Sequence, residues 1–208
     1  MDIDDANVDA MRDDLLEAIK FFHQKNWCPA TSCNFSFRNP DQISYTISST
    51  GIDKGHFTAA NLMIINAAGE PLPDYGHLKP SAETLLHTML YEDEGVNSIM
   101  HTHSVSSTVI SRRMSDKGGV WLRGYEVLKG LKGITTHKEE VFIPIFANSQ
   151  DIRTLSKEIQ EYMKTNPTIY GFLLESHGLY SWGSSTLEAK RHIEVLEFLF
   201  ECELAIIH

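Results

Sequence analysis

Apolar residues recur at three- and four-residue steps between about Asn7 and Lys25, with Val8, Met11, Leu15, Ile19 and Phe22 on one stripe. That spacing predicts an amphipathic helix. The pattern then changes to period two. Asn34–Arg38 and Ile43–Ile47 alternate around Asn39-Pro40-Asp41-Gln42, which predicts a β-hairpin. Leu62–Ile65 predicts a further strand, turning at Ala67-Ala68-Gly69-Glu70. A helix is predicted to open at Pro80-Ser81-Ala82-Glu83 and run through Tyr91, and the run Val96–Met100 predicts a strand leading into His101-Thr102-His103. Val105–Arg113 and Gln150–Lys164 are predicted helices. Val141–Phe146 is predicted as a short edge strand, because Pro144 has no N–H to give a ladder. An apolar strand at Leu173-Leu174 breaks at Ser176-His177-Gly178 and resumes at Leu179-Tyr180, as a tight turn would. Ser185-Thr186-Leu187-Glu188 matches a capping box and opens a last helix that runs nearly to His208. No repeat or linker divides the chain, so residues 1–208 are expected to form one domain. Its sheet is mixed or mainly antiparallel, with helices on the faces.

The histidine pair carries the most chemistry. On a strand, side chains two residues apart share a face, with Cα atoms about 6.6 Å apart. His101 and His103 can then take adjacent corners of one metal ion, and His177, at the strand break, is the candidate third ligand. Three imidazoles plus an open position form the ligand set of a catalytic zinc site. Asn34, Ser49-Thr50-Gly51 and Lys79-Pro80-Ser81 each read singly as turns or caps, and together as a phosphate cradle without a Walker-type loop. Glu83 is either a charge favouring a helix start or a carboxylate over the metal. Glu126, between Gly124 and Gly130, is a solvated surface charge unless the fold brings it to the histidines.

Composition narrows the partners. The 208 residues carry a formal net charge of -10, with much of the acid at the start of the chain. That argues against nonspecific binding to nucleic acid or to a membrane. No stretch approaches the length of a membrane span, and the N-terminus does not look like a secretory signal. Three cysteines, Cys28, Cys33 and Cys202, point to a reducing compartment rather than a disulfide framework, and so to the cytoplasm.

Asn34-Phe35-Ser36, Ser49-Thr50-Gly51, Lys79-Pro80-Ser81-Ala82-Glu83, His101-Thr102-His103-Ser104 and His177-Gly178 follow one another in an order and spacing that resemble the class II aldolase/adducin family across nearly the whole chain. The resemblance implies a three-layer α/β/α fold around a mostly antiparallel sheet. It further implies a homotetramer with active sites near subunit interfaces, and one zinc ion per subunit on His101, His103 and His177. Phosphate would lie near Asn34, Thr50, Gly51 and Ser81. Ala82 stands where family aldolases often carry a second serine. Within the family, Gly124–Gly130, Val141–Ile145 and Ser176–Gly183 resemble a sugar-phosphate dehydratase branch most. That implies a hydro-lyase acting on a small phosphorylated ketose, with Glu126 as acid/base and Glu83 at the aldolase acid/base position. The alternatives are a class II sugar-phosphate aldolase and a non-enzymatic adducin-like module.

Overall fold

The computed structural model describes residues 3–167 and 169–206. Asp2, part of the acidic start, and His208 lie outside them. The elements are α1 (Ile3–Gln24), β1 (Asn34–Arg38), β2 (Tyr45–Ser48), β3 (Leu62–Ile65), α2 (Thr84–Leu90), β4 (Ser98–Thr102), α3 (Val105–Met114), β5 (Gly119–Arg123), β6 (Glu140–Phe146), α4 (Ile152–Thr165), β7 (Gly171–Leu174), β8 (Gly178–Gly183) and α5 (Thr186–Ile206). The eight strands form one sheet in the order β3-β2-β1-β4-β8-β7-β6-β5. All neighbouring pairs are antiparallel except β6 and β7.

Alternation along the strands separates two cores. Met100 of β4 and Phe35 and Phe37 of β1 face α1, α3 and α5, packing with Leu15, Phe22, Ile110 and Leu196. Ile99 of β4 and Ile47 of β2 face α2 and α4, packing with Leu86, Leu90 and Ile159. This is the three-layer α/β/α arrangement, and the hairpin of β1 and β2 follows the predicted alternation. His101 shares the face of Ile99, whereas Thr102 shares the face of Met100. The two sides of β4 therefore carry different chemistry.

Three expectations need correction. β6 is not an edge strand, because it lies between β5 and β7. It accommodates Pro144 by placing it opposite Gly119, the first residue of β5, so the missing donor falls at the end of that ladder. β5 itself was not anticipated. It closes the edge with Val120 and Leu122 buried and Trp121 and Arg123 exposed. Finally, Cys28 and Cys33 form a disulfide across a short loop, with Cα atoms 5.5 Å apart. Cys202 is the free thiol. The loop folds back tightly because Asn26, Ala30 and Cys33 all take positive φ. Among the described residues, no helix is long and apolar enough to cross a membrane.

Candidate metal centre

The strand ends β4 and β8, the turn between β7 and β8, and the start of α2 meet on the α2/α4 face of the sheet. One ligand-capable nitrogen each from His101, His103 and His177 lies within 4.8 Å of the other two. The register explains the meeting, since Thr102 pairs with Leu179 and Leu174 pairs with Gly178. His177 therefore projects from the turn beside the end of β4. Gly178 makes this approach possible: a Cβ there would lie 2.1 Å from the Thr102 carbonyl oxygen.

Hydrogen bonds fix which nitrogen of the His101 and His177 rings faces inward. His101 Nδ1 donates to the Leu179 carbonyl at 3.0 Å, and His177 Nδ1 to Asn148 Oδ1 at 3.1 Å. Both Nε2 lone pairs then face the cluster, 3.3 Å apart. Burial pushes the His101 imidazole well below its ordinary pKa, with His177 adding to the shift. His103 is lowered too, first by burial and then by the neighbouring rings. Neutral imidazoles with facing lone pairs suit a divalent cation and do not suit one another. The donor set therefore fits zinc, and outer hydrogen bonds of this kind orient metal-binding histidines in general. The His101 ring also stacks on Tyr180, with centroids 3.9 Å apart and planes at 11°.

Glu83 overhangs the cluster. Its Oε1 is 3.2 Å from His177 Nε2, and its Oε2 is 3.6 Å from His101 Nε2. Asn34 Nδ2 donates to Oε2 at 2.8 Å, while Asn34 Oδ1 meets His87 Nε2 at 2.5 Å. His87 continues through Nδ1 to Ser36 Oγ, and from there to the Tyr91 hydroxyl. With Asn34 Oδ1 as acceptor, Nε2 is the protonated nitrogen of His87. Burial lowers this imidazole to about 4, which keeps it neutral and the chain of bonds in one orientation. In the single chain, then, the Asn34 amide holds Glu83.

The other cradle candidates are close together. The Thr50 N–H donates to the Lys79 carbonyl at 3.0 Å, and the Glu83 N–H donates to Ser81 Oγ at 3.2 Å. Gly51, in the turn just after β2, has φ +79°. Glu126 is not brought to the histidines within one chain. It begins a short 3-10 turn after β5, and β5 lies four strands from β4, about 19 Å across the sheet. Its carboxylate is exposed, bonded to Lys129 Nζ at 2.5 Å and 3.6 Å from His137 Nδ1.

Several residues at this site gave little sign of themselves in the sequence. Asn148 lies in an ordinary polar loop. Lys54 reads as a solvated lysine after Asp53, yet it is only 2% exposed. Burial lowers its amine to about 8, and its charge reaches His103.

The model of the class II aldolase and adducin N-terminal domain matches residues 13–204, and the chain belongs to that family. It is 42% identical over 200 residues to a methylthioribulose-1-phosphate dehydratase of Sorangium cellulosum, covering 96% of this chain and 93% of that protein. It is 46% identical over 192 residues to a methylthioribulose-1-phosphate dehydratase of Pectobacterium carotovorum, covering 91% of each. Among solved structures, the L-fuculose-1-phosphate aldolase of Thermus thermophilus superposes with a TM-score of 0.72 over 94% of this chain and 93% of that one. At 20% identity, that likeness speaks for the fold.

Proposed function

We propose that the chain removes water from 5-methylthioribulose 1-phosphate to give 2,3-diketo-5-methylthiopentyl 1-phosphate, a step of methionine salvage. It would do so in the cytoplasm as a homotetramer with one zinc ion per subunit. The observation that carries this reading is the convergence of three imidazoles, two of them oriented by carbonyl acceptors. The dehydratase relatives support the choice of substrate.

His101, His103 and His177 would hold the ion, which supplies Lewis-acid stabilisation of negative charge developing at the ketose oxygens. Thr50, Gly51 and Ser81 would anchor the phosphate, with Asn34 closing the cradle on the side of Glu83. Binding at that distant end positions the reacting carbons. Glu126 takes the proton from C3, then returns it to the hydroxyl departing from C4 as water, so one carboxyl is base and then acid; the C3 enol left behind ketonises, losing its hydroxyl proton and gaining one at C4, to give the dicarbonyl. Glu126 is four strands from the histidines of its own chain, so it would act on the site of a neighbouring subunit.

Metal content, product and subunit mixing test this reading together. Purified protein should carry one zinc per subunit and lose it in His101→Ala. It should also convert the methylthio substrate to the dicarbonyl. His101→Ala and Glu126→Gln should each be inactive alone, whereas oligomers mixed at random in equal amounts should recover about a quarter of wild-type sites. A mixture as inactive as its parents removes the shared site. One specific observation favours a second reading, a sugar-phosphate aldolase, because Glu83 already stands over the cluster in its own chain. A cleaved aldehyde in place of the dicarbonyl, with Glu83→Gln the inactive variant, would establish that chemistry instead.

A further inference from the structure

His101 and His177 are oriented by hydrogen bonds from their outward nitrogens. His103 differs. Among the described residues its ring nitrogens make no hydrogen bond, and the rings it lies against are those of His101 and His177. With no hydrogen bond on the ring, its direction depends more heavily on the backbone that carries it. On one side, the His103 N–H donates to the Trp27 carbonyl at 2.8 Å.

The other side leads through the sheet to α5. Thr102 points away from the histidines, toward the layer of α1, α3 and α5, and its Oγ1 donates to Glu197 Oε1 at 2.9 Å. Ser106 Oγ donates to Oε2 of the same carboxylate at 2.9 Å, and Ser104 Oγ donates to Oε2 as well. Ser104 is also the N-cap of α3, accepting from the Ser107 N–H at 2.9 Å. Glu197 is completely buried, on a helix whose neighbouring inward residues Ile193, Leu196 and Phe200 are apolar.

A buried carboxylate costs several kcal/mol unless hydrogen bonds compensate, and an apolar side chain of its size would satisfy the core at less cost. The partners Glu197 has gathered belong to one segment, residues 102–106. Two of them, Thr102 and Ser104, flank His103 directly.

We infer that Glu197 is a positioning residue for the metal centre: from behind the sheet, its carboxylate clamps the backbone on both sides of His103 and so aims the one ligand that has no hydrogen bond of its own. This rests on the reading that the three histidines bind a divalent ion. The clamp also ties α3 to α5 at the point where β4 ends, so the helix following the ligand pair cannot swing without moving Thr102.

The test is zinc affinity, measured by chelator competition on the full-length protein, alongside turnover and melting temperature. Glu197→Met keeps the volume and suits an apolar core. It should weaken zinc binding by about tenfold or more, the usual cost of losing an outer partner. Turnover at saturating zinc should fall with little change in KM. Glu197→Gln, which keeps one acceptor oxygen, should recover part of the affinity. Thr102→Val, isosteric and on the strand, should reproduce part of the loss even if Glu197→Met fails to fold. Ile159→Val in the opposite core provides a destabilised control whose zinc affinity should not change. Wild-type zinc affinity in folded Glu197→Met or in Thr102→Val would overturn the inference, because the carboxylate would then serve packing alone. Absence of zinc binding by the wild-type protein would instead overturn the metal reading, and the clamp with it.

Discussion

Replacing Gly178 by alanine tests how the centre is assembled. The added Cβ would lie 2.1 Å from the Thr102 carbonyl oxygen, 3.1 Å from its carbon and 3.2 Å from His101 Cε1. The obstacle is backbone, which cannot rotate away as a flexible side chain can. The strand ends must part by about 1 Å, and close-packed interiors resist such overpacking at about 1–3 kcal/mol. For a chain of this length that lowers the melting temperature by roughly 2–12 °C. The displacement falls between Thr102 and the turn carrying His177, where two Nε2 atoms now stand 3.3 Å apart. Metal–ligand distances tolerate only about 0.2 Å, so zinc affinity should fall by at least about tenfold. Thermal melts with and without zinc and a chelator competition read both quantities. Gly51→Ala is the contrast: nothing lies within 4 Å of its Cβ, but φ is +79°. It should lose about 1–2 kcal/mol to backbone strain with zinc affinity intact. If Gly178→Ala melted lower but bound zinc as tightly as wild type, close strand approach would not set the ligand geometry. An unchanged melt would show that the clash is relieved at no cost.

Ser81→Ala should raise KM for the phosphorylated substrate by about tenfold, the worth of one hydrogen bond to a charged group, while the melting temperature changes little; an unchanged KM places the phosphate elsewhere. Glu197 supplies a pH signature of stability. Burial raises its carboxyl to about 7 from an ordinary 4.5, so the folded state binds the proton more tightly than the unfolded one. The associated stability is fully present below pH 4.5 and is lost as pH rises through about 7, up to about 3 kcal/mol. Urea unfolding of zinc-free protein at pH 5 and pH 8 should show that loss in wild type and not in Glu197→Gln; parallel behaviour of the two refutes it.

The parts of this fold that were legible in the sequence are those written locally. The α1 stripe, the alternation of β1 and β2, and the break at Ser176-His177-Gly178 depend on neighbours a few residues away, and the structure follows them. The histidine convergence was legible because i and i+2 must share a strand face. Apart from the Cys28–Cys33 disulfide, which spans five positions, the misses were mostly nonlocal. A proline argues for an edge only if its partner strand continues past it, and β5 begins opposite Pro144. Five residues of β5 between glycines gave too short an alternation to stand out. Glu197 reads as one more acid on a helix that also carries Glu188, Glu194, Glu201 and Glu203. Its burial follows from how α5 lies against β4, which no local pattern records. Asn34 and Glu83 were each legible as candidate site residues, but the hydrogen bond between them, across 49 positions, was not.

The charge balance of the site follows from the same geometry. The chain as a whole is acidic, at -10, which disfavours a phosphorylated ligand at long range. Screening limits that penalty to about 8–10 Å at physiological salt, so the local inventory decides. Burial lowers the His101 and His103 imidazoles, so these two rings add no charge. A divalent ion among them would exceed the single negative charge of Glu83, and Lys54 is buried within electrostatic reach of His103. The pocket would thus be net positive inside an acidic protein. Neutral rings matter for a different reason: only an unprotonated imidazole has a nitrogen lone pair to offer the ion, so protonated rings would carry positive charge but could not hold it. On the proposed reading, the burial that lowers the His101 and His103 pKa values, the glycine that lets the strands close and the carboxylate behind Thr102 would act together to hold a cation where the substrate's oxygens would be bound.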